Sequence, residues 1–563
     1  MPVVVLPLSE GGKVKRRDFI KLGATVGAIA GQPATLSAVA GQHPAAATEA
    51  NPSRGGRDLA IVNARIVTME PEEPQAEAAL IRGGRVVLVG DSNEVRSQAD
   101  RVPIFDAAGR TVVPGFIDAH THLEVACVAE TYQAKVHTPP LGSLREVIDV
   151  LRSKTAETPA GEWVIARGSF GLERRVSEGR LLNRHDLDGV TEDHPLVVFS
   201  GRHVTMLNTK AIHTMGLWHP DSTPPPGAIV HRDASGVPIG TATELYYLLP
   251  SYSIEQVKAA IRQHVGPMFV ANGTTSVYTV PYSTSDITAD LELQAAGELP
   301  LRVRMYYHVP HMISLQGLLD TGLVSGFGDD MFRLGGVKLF VDGLGGNGLG
   351  DPLEDYKWTQ EELDDMVYRA HSRGLQVLMH VITPGAVHRA ATAVEKALRR
   401  DPRPHRHRLE HGGSVETVEE MRWLRDLGLR LVVTPSRGRP GRRTPRYRTL
   451  VDEGLEIIGI TDTTGTVPGS SAPLLKIAAA MVSVDEGGGA PAGESLTFEE
   501  ALRLYTLWAA RGGLEEADKG SIAVGKLGDF AVLSEDPRSL AGEDLFGVQV
   551  EATILGGEVV FER

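Results

Sequence analysis

VVPGFIDAHTHLE, residues 112–124, places a Pro-Gly turn before a short apolar run that ends in two histidines two positions apart. Side chains of an extended segment alternate between its faces, so His120 and His122 lie on one side of a single strand. Two imidazoles do not close a metal site by themselves. Their partners have to be sought further along the chain.

Seven later segments share the form of a short apolar strand: TTSVYTV, RVRMYYHV, GGVKLFVDG, QVLMHVI, RLEHG, RLVVTP and IIGITD. Amphipathic stretches such as TQEELDDMVYRAHSRG and SVETVEEMRWLRDLG lie between them, each closed by glycine, so strand and helix alternate. Eight strands separated by helices fit an α/β fold of the (β/α)8 TIM-barrel kind, with its site at the carboxyl ends of the strands. Short β-rich runs from Asp58 onward, with a Gly83-Gly84 turn, are matched at the other end by GDFAVLSEDP and QVEATILGGEVVFER. These predict a small β-sandwich built from both chain ends. The expected organisation is a sandwich part over 58–113, a barrel over 114–518 and the rest of the sandwich over 519–563. The long stretches 124–273 and 436–456 carry no comparable pattern.

Several of the strands end in residues that an apolar core would not choose. Lys338 sits inside GGVKLFVDG, His380 closes QVLMH, His411 follows RLE and Asp462 closes IIGIT. A single strand-end histidine is usually a hydrogen-bonded core residue, and a single strand lysine usually meets solvent or a carboxylate. The whole set, with His120 and His122, would be costly to desolvate without a common partner, and a metal ion is such a partner.

This ordered set resembles the amidohydrolase superfamily. GVKLFVDG, HRLEHG and SGRHVTMLNTKAI are most similar to its family-3 branch, which includes N-substituted formamide deformylases. The resemblance implies that His120, His122 and Asp462 hold one Zn2+ and that His380 and His411 hold a second. Lys338, carbamylated by CO2, would bridge the two, and without carbamylation a single zinc is expected. Zinc held by imidazoles and carboxylates lowers the pKa of a bound water to about 7. Asp462 would then serve as general acid and base, and His203 in GRHVTMLN as a donor to the substrate carbonyl. Glu410 reads as structural, and Asp342 as a support for a ligand histidine. One departure stands out. The branch usually has His-Ala-Ile-Gly-Asp-Arg after the fifth strand, whereas this chain has His380-Val381-Ile382-Thr383-Pro384-Gly385.

The chain starts with a different kind of signal. Lys15-Arg16-Arg17-Asp18-Phe19-Ile20-Lys21, a Gly/Ala-rich apolar segment and Ala38-Val39-Ala40 have the layout of a twin-arginine signal peptide over 1–40, followed by a tether over 41–57. Export to the periplasm or beyond is the resulting expectation. Pro33 interrupts the apolar run, so it is a poor membrane span and no stable membrane insertion is expected. A net charge of −14 argues against nucleic acid as a partner. The single cysteine, Cys127, excludes an intrachain disulfide and a thiolate-rich zinc site. Arg437, Arg439, Arg442, Arg443, Arg446 and Arg448 follow the seventh strand and read as a solvated loop in preference to an anion-binding lid. The expected activity is hydrolysis of a C–N bond in a small amide-type substrate. A deaminase or cyclic-amide hydrolase on the same barrel and a silent metal-binding protein are the alternatives, and a homo-oligomer stays open.

Overall fold

All eight apolar segments enter one parallel sheet in chain order. The strands are β1 (Phe116–Thr121), β2 (Thr274–Thr279), β3 (Arg302–His308), β4 (Phe332–Phe340), β5 (Gln376–His380), β6 (Arg408–Glu410), β7 (Arg430–Val433) and β8 (Ile457–Gly459). The protein is represented by a computed structural model. It describes residues 57–563, apart from 226–227, 246–247, 344–354, 413, 438–444, 466–468 and 487–489. The expected signal peptide (1–40), the tether up to residue 56 and Arg439, Arg442 and Arg443 lie outside the described residues.

β1 and β8 meet just past the carboxyl end of β8, which closes the sheet into a barrel. Asp462 N–H donates to the His120 carbonyl at 3.0 Å, and His122 N–H to the Thr463 carbonyl at 3.1 Å. Asp118, buried in β1, accepts from Thr461 N–H at 2.9 Å and also from the Thr461 hydroxyl. Ile117, Ala119, Tyr278, Val280, Tyr306, Leu378, Val432, Ile458 and Ile460 fill the interior with Ala509 and Ala510. Below this layer Glu515 and Lys519 form a buried ion pair at 3.0 Å, and Lys519 donates to Ser276 of β2 at 3.0 Å. The barrel is therefore a packed core, and its carboxyl end is the side left for chemistry.

The helices between strands start where local chemistry directs. Thr359, Thr383 and Thr417 cap the helices Gln360–Ser372, Pro384–Arg400 and Val418–Asp426, and Thr359 and Thr417 do so within capping boxes. Their buried faces, such as Leu363, Val367 and Ala370, pack on the outside of the barrel.

The β-sandwich is built from both ends of the chain. Phe530–Leu533 pairs antiparallel with Thr111–Pro114, setting Phe530 against Pro114, and Val550–Leu555 continues the same sheet. Leu59–Val62 lies in the facing four-stranded sheet, and Ile61, Ile81, Val112, Phe530 and Ile554 fill the space between. A third unit had no counterpart in the sequence reading. Between β1 and β2 a six-stranded mixed sheet is inserted, running from Ala134–Val136 through Val164–Gly168, Leu196–Ser200 and Val204–Leu207 to Pro238–Thr243 and Ile229–Arg232. It divides the stretch expected to be one barrel over 114–518.

Arg302 of β3 ties the barrel to the sandwich. Its guanidinium makes a two-pronged ion pair with Asp529 at 2.7 and 2.9 Å, both side chains being nearly solvent-free. Asp529 also accepts from Gly556 N–H at 2.8 Å. Asp529→Ala would leave a buried guanidinium without its counter-charge and should lower unfolding free energy by about 3–5 kcal/mol, measured by urea titration.

Candidate metal centre

His120 lies near the end of β1 and His122 one residue beyond it, at the start of the following helix, with their ring centroids 5.4 Å apart. Asp462 reaches them from just past β8. One ligand atom from each of the three lies within 4.8 Å of the others, and they are the sole such trio of His, Cys, Asp or Glu among the described residues. His122 Nδ1–H donates to the Val280 carbonyl at 3.0 Å, which turns Nε2 toward Asp462 Oδ1 at 3.5 Å. The Asp462 side chain is 39% exposed, so the trio opens on the barrel mouth and not on the core.

His380 and His411 stand beside this trio without joining it at ligand spacing. Ring centroids are 5.2 Å apart for His120 and His411 and 4.8 Å for His380 and His411. Lys338 of β4 is buried, with its ammonium 5.3 Å from the Phe340 ring centroid. Lys338 Nζ and His380 Nε2 are both shielded from solvent and make no hydrogen bond. Orphaned groups of this kind are expensive unless another partner meets them, and a metal with a lysine carbamate is one that both would fit.

The electrostatics favour neutral imidazoles. Burial pushes His120 below its usual range, His122 down to about 4, His411 down to about 3 and His380 well below its usual value. A metal ligand must be deprotonated, which these environments provide at neutral pH. Loss of solvation works against charge on Asp462, but the surrounding imidazoles of His122, His411 and His120 hold its carboxyl well below the usual carboxylate range. Burial also brings the Lys338 ammonium down to about 8, against the pull of Glu410 and Asp462. His411 and Asp462 both have left-handed backbones, with φ of 62° and 52°. Such a conformation costs a non-glycine residue about 1–3 kcal/mol and is retained where the surroundings fix it, here by the Asp462 hydrogen bond to β1.

Glu410 has a larger part than the sequence indicated. Its carboxylate lies inside the barrel, where Oε2 accepts from His120 Nδ1–H at 2.5 Å. Arg408 holds it from below through contacts of 2.8 and 2.9 Å. Burial opposes its charge, yet Arg408 and His120 keep Glu410 ionised far below the usual range. It thereby leaves His120 Nε2 for the centre, a carboxylate–histidine support. Asp342 braces backbone instead of a ligand ring. It accepts from Ile382 N–H, Thr383 N–H and the Thr383 hydroxyl at 2.9–3.1 Å. The Thr383-Pro384-Gly385 departure thus forms the capped start of the helix after β5.

His203 arrives from the inserted sheet. Its Nδ1 lies 2.7 Å from Glu244 Oε1, and its ring centroid is 5.3 Å from that of His380. Glu244 had no signal in the sequence, because it is 41 residues from His203 and ends a strand of the unread insert. Tyr282, whose hydroxyl is 3.4 Å from His122 Nε2, was likewise missed. His308 closes β3 as the chosen histidines close theirs, with its ring 4.7 Å from Phe340, and the same strand-end rule would have found it. The described arginines of the 437–448 loop are occupied elsewhere: Arg437 pairs with Glu543, Arg446 with Glu494 and Arg448 with Glu500.

Comparison with known proteins agrees with this arrangement. The family model described as "Amidohydrolase family" matches residues 104–561. The chain belongs to the amidohydrolase family. It is 30% identical over 546 residues to the N-substituted formamide deformylase of Arthrobacter pascens, covering 90% of this chain and 99% of that one. It is 25% identical to the putative amidohydrolase YtcJ of Bacillus subtilis (strain 168), over 88% and 98% of the two chains. Among solved structures, an uncharacterized metal-dependent hydrolase from Pyrococcus horikoshii OT3 superposes with a TM-score of 0.66 at 21% identity, covering 86% of this chain and 98% of that one. The family-3 membership and the barrel fold expected from the sequence are thus borne out, and the protein is a hydrolase of carbon–nitrogen bonds.

Glu410→Gln keeps the shape at His120 but removes the charge that orients it. Metal affinity should fall about 10- to 100-fold, read by competition against a chromophoric chelator.

Proposed function

We propose that this amidohydrolase cleaves a small amide or formamide with a water activated at a zinc centre held by His120, His122 and Asp462. The observation that carries the reading is the trio at the barrel mouth, with ligand atoms within 4.8 Å, beside two buried nitrogens that have no hydrogen-bond partner. His380 and His411 would hold a second zinc, and imidazole and carboxylate donors suit that ion. Zinc bound there would supply Lewis acidity, lowering the pKa of a water and drawing electrons from a carbonyl oxygen.

The chain's own groups do the rest. The Lys338 ammonium would lose one proton, add to CO2 through Nζ and lose a second proton, which replaces a buried cation with a carbamate anion that would help to hold the zinc. The carboxylate of Asp462 is ionised and opens on the recess, so it can take a proton from the attacking water and return it to the departing nitrogen. His203 is oriented by Glu244, which fixes Nδ1 as the donor to the carboxylate and directs Nε2 away from it. As an imidazolium beside the Glu244 carboxylate, with both nitrogens carrying hydrogen, it would donate from Nε2 to the substrate carbonyl oxygen.

The formamide deformylase relative supports a formamide-type substrate. Export by the twin-arginine route is part of the same proposal and rests on Arg16-Arg17 and the Gly/Ala-rich segment after them. That route carries folded proteins and would suit an enzyme that acquires its metal before export.

Two measurements check the reading. Purified wild type should hold two equivalents of zinc by elemental analysis, falling to one or none in Lys338→Ala. One equivalent in both proteins would replace the bridged pair by a single-zinc centre. Asp462→Asn should lower kcat for formamide hydrolysis by about 10²- to 10⁴-fold, and retained turnover would remove Asp462 from the proton-transfer role.

A further inference from the structure

The inserted sheet carries two arginines to the edge of the metal centre, and neither has a part in the chemistry described above. Strands Val164–Gly168 and Leu196–Ser200 run parallel with Arg167 opposite Phe199, so Arg167 and Arg202 emerge at the same end of the sheet. Both are buried, at 3% and 9% exposure. Arg202 lies over the ring of Tyr282, 3.3 Å from its centroid, and the Tyr282 hydroxyl is 3.4 Å from Nε2 of His122. One tyrosine ring therefore separates the arginine pair from a candidate zinc ligand.

Arg167 is the unusual member. Its Nε donates to Gln133 Oε1 at 3.1 Å and its guanidinium lies 4.1 Å from the Phe199 ring centroid. Its Nη1 is shielded from solvent and has no hydrogen-bond partner. Among the described residues no carboxylate comes within ion-pair distance of it, and the groups that act on it are Arg202, Tyr252 and Tyr282. Burial, with the like charge of Arg202 added, pulls Arg167 down to about 9. Arg202 lies within the electrostatic reach of Glu244 and Asp286. A buried guanidinium without a counter-charge is costly to maintain in a core that serves only stability. The planar, two-pronged fork of a guanidinium matches the paired oxygens of a carboxylate, as it does those of a phosphate.

We infer that Arg167 and Arg202 form an anion subsite that binds a carboxylate on the substrate, so that the preferred substrates are amides carrying a carboxylate on the substituent of the amide nitrogen. This rests on the hydrolase reading of the same mouth and narrows its substrate class. Arg202, the more exposed of the two, meets the carboxylate first, and Arg167 completes the charge pairing behind it. Tyr282 lies between the two sites and sets the spacing of carboxylate and reacting carbonyl.

The test uses zinc-loaded full-length protein and a matched pair, N-formylglycine and N-formylglycinamide. Wild type should show a kcat/KM at least about tenfold higher for the carboxylate, with most of the difference in KM. Arg167→Gln should erase that preference, whereas Arg167→Lys, which keeps the charge, should retain part of it. Phenylacetate, titrated calorimetrically, gives a readout that needs no turnover, and Arg167→Gln should weaken it about tenfold. Equal phenylacetate affinity in wild type and Arg167→Gln, or an unchanged substrate ratio, overturns the subsite while leaving the hydrolase reading intact. Loss of phenylacetate binding in the variant, with neither formamide hydrolysed by any form, supports the subsite and counts against the formamide-hydrolase reading. Circular dichroism checks folding. If Arg167→Gln does not fold, Arg202→Gln is read in its place and must show the same losses, or the inference falls.

Discussion

The hydrogen bond from Asp462 N–H to the His120 carbonyl, 3.0 Å long, joins the two ends of the barrel sheet. Its chemistry is ordinary, but it spans 342 residues of sequence, and the rest of the centre depends on the closure it represents. It places a carboxylate from beyond the eighth strand against the histidine pair that ends the first. The bond between Asp118 and Thr461 repeats the tie one step below. An open sheet would keep the same eight strand ends in a row. Closure turns that row into a ring, so six polar side chains face a common space.

That ring would be unfavourable without supports and a shared partner. Glu410 and Arg408 fill the layer beneath His120, giving the ring nitrogen a fixed acceptor while staying neutral as a pair. Asp342 fixes the backbone after His380 through the Thr383 cap, so a local departure in sequence becomes a rigid helix start. The inserted sheet supplies a different set of groups, with His203, held by Glu244, beside His380 and Arg202 over Tyr282. Barrel strands thus furnish the candidate metal ligands, and the insert furnishes the groups that would meet a substrate. The division follows from geometry. Strand ends are held in register by ladders on both sides, whereas an insertion between β1 and β2 can change without disturbing that register.

Much of the barrel, and the candidate ligands at its strand ends, could be read along the chain. The eight strands were legible because each is a short apolar run bounded by turn residues, and HxH was legible because a period of two puts both rings on one face. His380, His411 and Asp462 stood out as polar residues closing apolar strands. The same rule would have selected His308, which was passed over. Glu410 read only as structural, because nothing in its position next to His411 marks it as the partner of His120. The left-handed backbone of His411 breaks the simple alternation there, and no periodicity reports such a turn. The insert was opaque for another reason. Its strands mix parallel and antiparallel neighbours, so they carry neither the repeat of βα units nor a hairpin pattern throughout.

The sequence by itself determined the class of fold, the family, a set of residues with donors that suit a metal, and a single cysteine, too few for a thiolate-rich site. These follow from local pattern and donor chemistry, which are properties of short segments. Only the tertiary structure decided that Glu410 supports His120, that His203 meets Glu244, and that Lys338 and His380 are left with buried nitrogens unbonded. It also decided that Arg167 lies buried beside Arg202 and one aromatic ring away from His122. Those facts concern distance and desolvation between residues tens to hundreds of positions apart. Both quantities come into being only when the barrel closes and the inserted sheet packs over its mouth.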